Sequence, residues 1–253
     1  MYQKQISAFS FDLWDTLIKD TPNNLKQRSQ LRIKNLKIFF LKKRLDIPKN
    51  ILENALNDVR NKCIQDHNNE FDISFNQRVE QLIKIISHFE SIPFPSTLNK
   101  SIGDIINNAF LEYPPYLVEG EITTIENIYN KGYKLAIISN TGFTSPKIYN
   151  LFLKNIGLTR YIKIVLLSNH LQTAKPSRTI FKLALNKLGL PCNEVVHIGD
   201  NYTADILGSE KCGMKSVWIN NVDGIYTPNQ EKTDNNKSKD IIIKNILELN
   251  KFI

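Results

Sequence analysis

Apolar positions along the chain follow two different rhythms. Between residues 25 and 111 they recur at three- and four-residue intervals in four blocks, 25–44, 50–65, 75–89 and 98–111, with Pro48, Pro93 and Pro95 between them. That spacing predicts four helices and contains no convincing strand. From Tyr113 the rhythm changes. YPPYLVEGE is a proline- and glycine-marked connection, and beyond it the short β-rich runs KLAIIS, IKIVLLS, EVVHIGD and KSVWIN alternate with helical stretches near 121–130, 145–153, 177–188 and 203–211. Alternation of this kind predicts a parallel sheet with helices on both faces.

The opening run, residues 6–11, has the same apolar character and no partner in the helical block, so it is expected to join the later sheet. The predicted fold class is therefore α/β: a doubly wound parallel sheet, core residues 1–18 and 113–253, interrupted after its first strand by an all-helical insert, residues 19–112. TPNQEKTDNNKSKD, residues 227–240, reads as a polar surface loop. After it the chain is expected to return with DIII and an amphipathic helix over 244–252.

Composition narrows the class without naming a function. A chain of 253 residues, 42% hydrophobic and 23% charged, has material for one large domain or for a domain with an insertion. No apolar leader follows a basic region, and no run approaches the roughly 20 apolar residues that span a bilayer. The expectation is a cytoplasmic protein without a membrane partner. Cys63, Cys192 and Cys212 are too scattered for a disulfide framework or a CxxC zinc site and read as reduced and structural. The net charge of +8 is concentrated between Lys26 and Lys49. Without interleaved aromatics this segment reads as a solvated helix face, so no specific nucleic-acid partner is expected. No motif sets an oligomeric state.

In open α/β sheets ligands sit beyond the carboxyl ends of the strands. Asp12 follows the first strand, Ser139 and Asn140 the second, Lys175 the third, and Gly199, Asp200 and Asp205 the fourth. Taken singly these are ordinary turn and helix-start residues. Together on one rim, carboxylates, a hydroxyl and a lysine suit a hard divalent cation and a phosphate.

FDLWDTL, AIISNTG, AKP and HIGDNYTAD, in that order, resemble the four motifs of the haloacid dehalogenase (HAD) superfamily of phosphohydrolases, and the insert resembles its helical cap. The resemblance implies a Rossmann-like core and a roster of roles. Asp12 would be the nucleophile that becomes an aspartyl-phosphate. Asp12, Asp200 and the backbone carbonyl of Trp14 would hold Mg²⁺, with Asp205 supporting the site directly or through water. Ser139, Asn140 and the backbone N–H groups that follow would bind a phosphoryl oxygen, and Lys175 would neutralise charge in the transition state. Thr16 would help fix the loop around the phosphate. The implied ligand is a small phosphorylated substrate, selected by the cap, where Arg28 and Arg32 are basic candidates. His170, His197 and Trp218 read as structural.

Trp14 departs from that pattern. Phosphatases of this family usually carry aspartate there, protonating the leaving oxygen and later activating water. General acid-base help is typically worth roughly 10²–10⁴-fold in rate. Asp15, next door, is either loop geometry or a substitute acid. Three readings stay open: an Mg²⁺-dependent phosphohydrolase favouring good leaving groups; a metal-independent 2-haloacid dehalogenase, whose family members have an aromatic residue at this place; and a non-catalytic relative that binds a phosphorylated ligand or a protein partner. The Gly199-Asp200 pair favours the first.

Overall fold

The computed structural model describes residues 6–90, 95–220 and 241–253. Six parallel strands form the central sheet in the order β5-β4-β1-β6-β7-β8: β1 Ala8–Phe11, β4 Lys134–Ser139, β5 Ile164–Leu167, β6 Val195–Gly199, β7 Lys215–Ile219 and β8 Ile241–Ile243. The opening strand thus lies inside the sheet, Phe11 facing Ile137 on one side and Ile198 on the other. Burial on both faces explains why these strands read as continuous apolar runs rather than alternating ones. One core cluster, with Phe9, Phe11, Ile137 and Ile198, lies on one face, and another, with Ala8, Ala136, Phe181 and Leu188, on the opposite face.

Two-residue strands β2 (Ile18–Lys19) and β3 (Tyr116–Leu117) pair antiparallel, with Ile18 opposite Leu117. All four helices of the insert lie between them: α1 Pro22–Lys42, α2 Lys49–Asn68, α3 Phe75–Glu90 and α4 Asn99–Glu112. They bury a core of their own around Leu36, Phe40, Leu52, Val59, Leu82 and Ile106. α1 begins three residues earlier than its apolar rhythm suggests, because Thr21 caps it through the Asn24 N–H and Pro22 occupies its first turn. The remaining helices are α5 Glu121–Asn130, α6 Pro146–Asn155, α7 Ser168–Leu171 and α8 Arg178–Leu188.

Three local features differ from the sequence expectation. Ile241–Ile243 supplies a sixth strand alongside β7, and the expected helix at 244–252 is a 3₁₀ segment, Ile246–Lys251. The helix expected at 203–211 is a π-helical turn, Tyr202–Leu207, followed by one α-turn, α9 Gly208–Glu210. Arg28 does not face solvent or a ligand. Its guanidinium is buried against Asp20 (2.8 and 2.9 Å) and the Tyr113 carbonyl, with Phe110 beneath it at 5.1 Å. It ties the outgoing chain beside β2 to the chain returning toward β3. The polar run 227–240 and Pro93 lie outside the described residues. Among those described, no helix is long and apolar enough to cross a membrane, and the three cysteines are free.

Candidate active site

Asp12 leaves β1 at the centre of the sheet; Asp200 and Asp205 follow the neighbouring β6, and Lys175 comes from the loop beyond α7. The Lys175 ammonium donates to Asp12 Oδ1 and, at 2.6 Å, to Asp205 Oδ1. Carboxylate oxygens of Asp12, Asp200 and Asp205 all lie within 4.8 Å of one another, and all three residues are buried. Three carboxylates around one ammonium leave excess negative charge in a place water reaches poorly. Burial raises the Asp12 carboxyl, Lys175 pulls it back and Asp205 raises it again, leaving it at about 7. For Asp205 burial pushes the same way, yet Lys175 and His197 hold it below the usual carboxylate range. Lys175 is raised: burial would discharge it, but Asp12 and Asp205 keep it cationic. An all-oxygen, net-negative, buried donor set fits a hard divalent cation.

The supports of these groups explain their placement. Asn140 clamps the Lys175 main chain at both polar atoms, Nδ2 to the carbonyl at 2.9 Å and Oδ1 from the N–H at 2.8 Å. The Asn140 amide expected to meet phosphate is therefore committed to Lys175. Likewise the Thr141 N–H, one of the expected phosphate donors, is given to Ser168 Oγ at 2.8 Å. Ser139 sits fully buried at the end of β4, and the buried Thr16 hydroxyl has no hydrogen-bond partner among the described residues. Gly199 must be glycine, because a Cβ there would collide with the Asp205 carboxyl group. The π-turn closes this arrangement: Asn201 caps it through the Ala204 N–H and gives its own N–H to Asp205 Oδ2 at 3.0 Å.

Two residues read from the sequence as structural hold aspartates of the site in place. His197, directly opposite Ser10 in the β1–β6 register, bridges Ser10 Oγ at 2.9 Å and Asp205 Oδ1 at 3.1 Å. Asp205 can only accept, so Nε2 carries the proton and Nδ1 accepts from Ser10. Burial, ahead of the opposing pull of Asp205, lowers the imidazole below its ordinary value and keeps it neutral. Trp218 lies in a buried strand, as expected, and its indole N–H also holds the Asp200 carbonyl at 2.8 Å. A polar residue in the middle of a buried strand was the available signal, since it must find a partner. His170 is exposed on α7.

The Trp14 side chain turns into an aromatic cluster. Its Nε1–H donates to Tyr149 Oη at 3.2 Å, and its rings meet Phe110 and Tyr149 edge-on. Asp15 adopts a left-handed φ of 54° and is almost fully buried. Aspartate tolerates that backbone better than most residues, so conformation alone accounts for the residue type at that position. Arg32, the second basic candidate, reaches across to the Phe143 carbonyl in the loop after β4.

Known proteins resemble this chain in sequence and in fold. The family described as haloacid dehalogenase-like hydrolase matches residues 46–219. The curated relatives include a haloacid dehalogenase-like hydrolase domain-containing protein 3 of Danio rerio, 29% identical over 53% of this chain and 53% of that protein. Another is a ribulose-1,5-bisphosphate 5-phosphatase of Halopiger xanaduensis, 31% identical over 52% of this chain and 50% of its own. The chain thus spans about half the length of these curated relatives. A 2-haloacid dehalogenase from Pseudomonas syringae pv. Tomato DC3000 shares the fold at TM-score 0.70 and 19% identity, covering 98% of this chain and 97% of that one. A HAD phosphatase from Thermococcus onnurineus does so at TM-score 0.60 and 22% identity, covering the same shares. With its family match spanning residues 46–219, more than half its length, the chain belongs to the haloacid dehalogenase-like hydrolases.

Proposed function

We propose that the protein is an Mg²⁺-dependent phosphohydrolase acting through Asp12 on a small phosphorylated metabolite in the cytoplasm. The observation that carries this reading is the convergence of Asp12, Asp200 and Asp205 around Lys175. An Asp12 oxygen attacks phosphorus, the bond to the leaving oxygen breaks, and an aspartyl-phosphate remains for water to cleave. Lys175 balances the charge that gathers on the phosphoryl oxygens, and Ser139 and Thr16 offer hydroxyls to them. Mg²⁺, held by Asp12, Asp200 and the Trp14 carbonyl with Asp205 in support, would add charge neutralisation when bound. His197 and Asn140 position Asp205 and Lys175.

The helical insert, residues 19–112, is the proposed cap and substrate selector, with Arg32 its remaining basic candidate. Curated relatives named as phosphatases of sugar and nucleotide metabolism, among them a glyceraldehyde 3-phosphate phosphatase of Methanothermobacter thermautotrophicus, 31% identical over 39% of this chain and 42% of its own, support a small phosphate ester or anhydride. Because Trp14 supplies no carboxylate, acyl, aryl and anhydride phosphates are the proposed preference. A panel of such compounds with 2-chloropropionate, assayed with Mg²⁺ and in EDTA, tests the reading. Phosphate release that needs Mg²⁺ is the expected result. Trp14 also favours a second reading, metal-independent dehalogenation, which halide release in EDTA would establish.

A further inference from the structure

Outside the active site, a second set of metal-ligating atoms meets where the helical block touches the core. Cys63 and His67 are one helical turn apart on α2, and Asp72 follows in the turn toward α3. His67 Nε2 lies 3.6 Å from Cys63 Sγ and 3.0 Å from Asp72 Oδ2, and the three donor atoms fall within 4.8 Å of one another. A Cys-His-Asp catalytic relay would use the two ring nitrogens separately. Here one nitrogen faces both partners, which is how three ligands of one ion are arranged. A tetrahedral zinc with Zn–S near 2.3 Å and Zn–N near 2.0 Å requires ligand separations of about 3.6 Å (S to N) and about 3.3 Å (N to O).

The surroundings suit a cation. Asp72 Oδ1 is held by Arg78 at 2.7 Å and its Oδ2 accepts from Ser168 Oγ at 2.6 Å, so hydrogen bonds from behind fix the carboxylate in the orientation a metal ligand needs. Asp66 shares the Arg78 guanidinium, at 2.7 Å. Two carboxylates on one guanidinium carry one net negative charge; burial would lower His67, but its contacts with Asp72 and Cys63 raise it to about 9, so its proton offsets that charge until a cation displaces it. Cys63 and Asp72 are buried and His67 is partly so. We propose that Cys63, His67 and Asp72 form a binding site for a thiolate-seeking divalent ion of the zinc class, distinct from the oxygen-only site at Asp12.

The position gives such an ion a consequence. Cys63 Sγ contacts the Thr141 carbonyl, two residues beyond Ser139, and the Glu70 carbonyl receives the Ala174 N–H next to Lys175. All three ligands belong to the helical block; an ion there would fix the Asp72 carboxylate that accepts from Ser168, while the Cys63 thiolate would no longer donate to the Thr141 carbonyl.

The test titrates Co²⁺, as the probe, into the chelator-treated full-length protein. One equivalent should produce a thiolate-to-cobalt charge-transfer band with intense tetrahedral visible bands, and Zn²⁺ should bleach both. Mg²⁺ in about hundredfold excess should not, because it does not compete for thiolate. With only three cysteines in the chain, the Cys192→Ser/Cys212→Ser double variant should keep the band in full. His67→Gln should weaken Co²⁺ binding by at least about tenfold. Asp12→Asn, which disables the oxygen site, should leave the band intact. Weak octahedral bands alone, or a band lost in the double cysteine variant, would overturn the proposal, and hydrogen bonding alone would then explain the cluster.

Discussion

Asn140 grips the main chain of Lys175 on both its donor and its acceptor side, at 2.8 and 2.9 Å. The loop after β4 thereby sets the height of an ammonium that reaches across to the end of β1. Asn140→Ala removes two hydrogen bonds worth about 1 kcal/mol each and frees the Lys175 loop. Turnover should fall by roughly 10–100-fold with a smaller change in KM. Steady-state kinetics on one phosphate ester decide it; an unchanged kcat would show that the clamp does not govern Lys175.

Asp12→Asn should abolish turnover while the fold survives, because the amide keeps the shape and loses the nucleophile. The same residue predicts how metal binding responds to pH. In the metal-free protein Asp12 titrates near 7, against 3.8 as a free side chain. The folded chain keeps a proton that the unfolded chain sheds, so this contribution to stability is complete below about 3.8 and is lost as pH rises through about 7. A cation competes with that proton. The rise in Tm produced by Mg²⁺ should therefore grow between pH 5.5 and 8 and be much smaller in Asp12→Asn.

Trp14→Asp places a carboxylate where the family's phosphatases have one. It should raise kcat/KM for alkyl phosphates more than for aryl phosphates, since only the former need a protonated leaving group. Loss of the indole from the Phe110–Tyr149 cluster should cost about 2–4 kcal/mol, read from denaturant unfolding. If the wild type already treats both esters alike and Asp15→Asn removes the alkyl activity, the acid resides at Asp15. An equal ratio in all three proteins would mean that leaving-group protonation does not limit the rate.

Glu121, at the start of α5, is buried with neither carboxyl oxygen hydrogen-bonded among the described residues, and burial lifts it to about 8 from 4.5. Stability from the retained proton is full below about 4.5 and drains away as pH rises through about 8. The drain is on the order of 5 kcal/mol. Glu121→Gln should therefore raise Tm by several degrees at pH 8 and change it little at pH 4.5. Equal shifts at both pH values would contradict a neutral Glu121.

Gly199→Ala should push Asp205 out of reach of Lys175 without disturbing the outer strands, because the new methyl would occupy the place of its carboxyl. Activity should drop at least about tenfold. Wild-type activity in this variant would mean Asp205 is not held against the strand.

The central strands and the site were legible because each buried run stops abruptly at a polar residue. FSFD, IISN and HIGD mark their own ends, and the ends are where ligands bind. Less legible were residues whose meaning depends on a distant partner. Arg28 looked like part of a basic helix face, since nothing local announces that Asp20 and the Tyr113 carbonyl would enclose it. His197 and Ser10 are unremarkable singly and become a support only when the β1–β6 register sets them opposite each other. Ile241–Ile243 is too short to declare itself, and the π-turn at Tyr202–Leu207 follows the helical rhythm of an ordinary helix.

The interior place of β1 has a consequence for how the chain is made. Ser10 meets His197 across 187 residues, and Asp12 meets Lys175 across 163. On a ribosome the first strand emerges long before either neighbour exists, and the four insert helices, rich in local contacts, can fold while it waits. Its backbone edges and apolar faces stay uncovered until β4 and then β6 are synthesised. Asp12 is synthesised well before the strands that flank it and is among the last residues to acquire an environment, so a chain arrested before residue 195 should expose Phe9 and Phe11 to aggregation or to a chaperone and leave the candidate site unassembled.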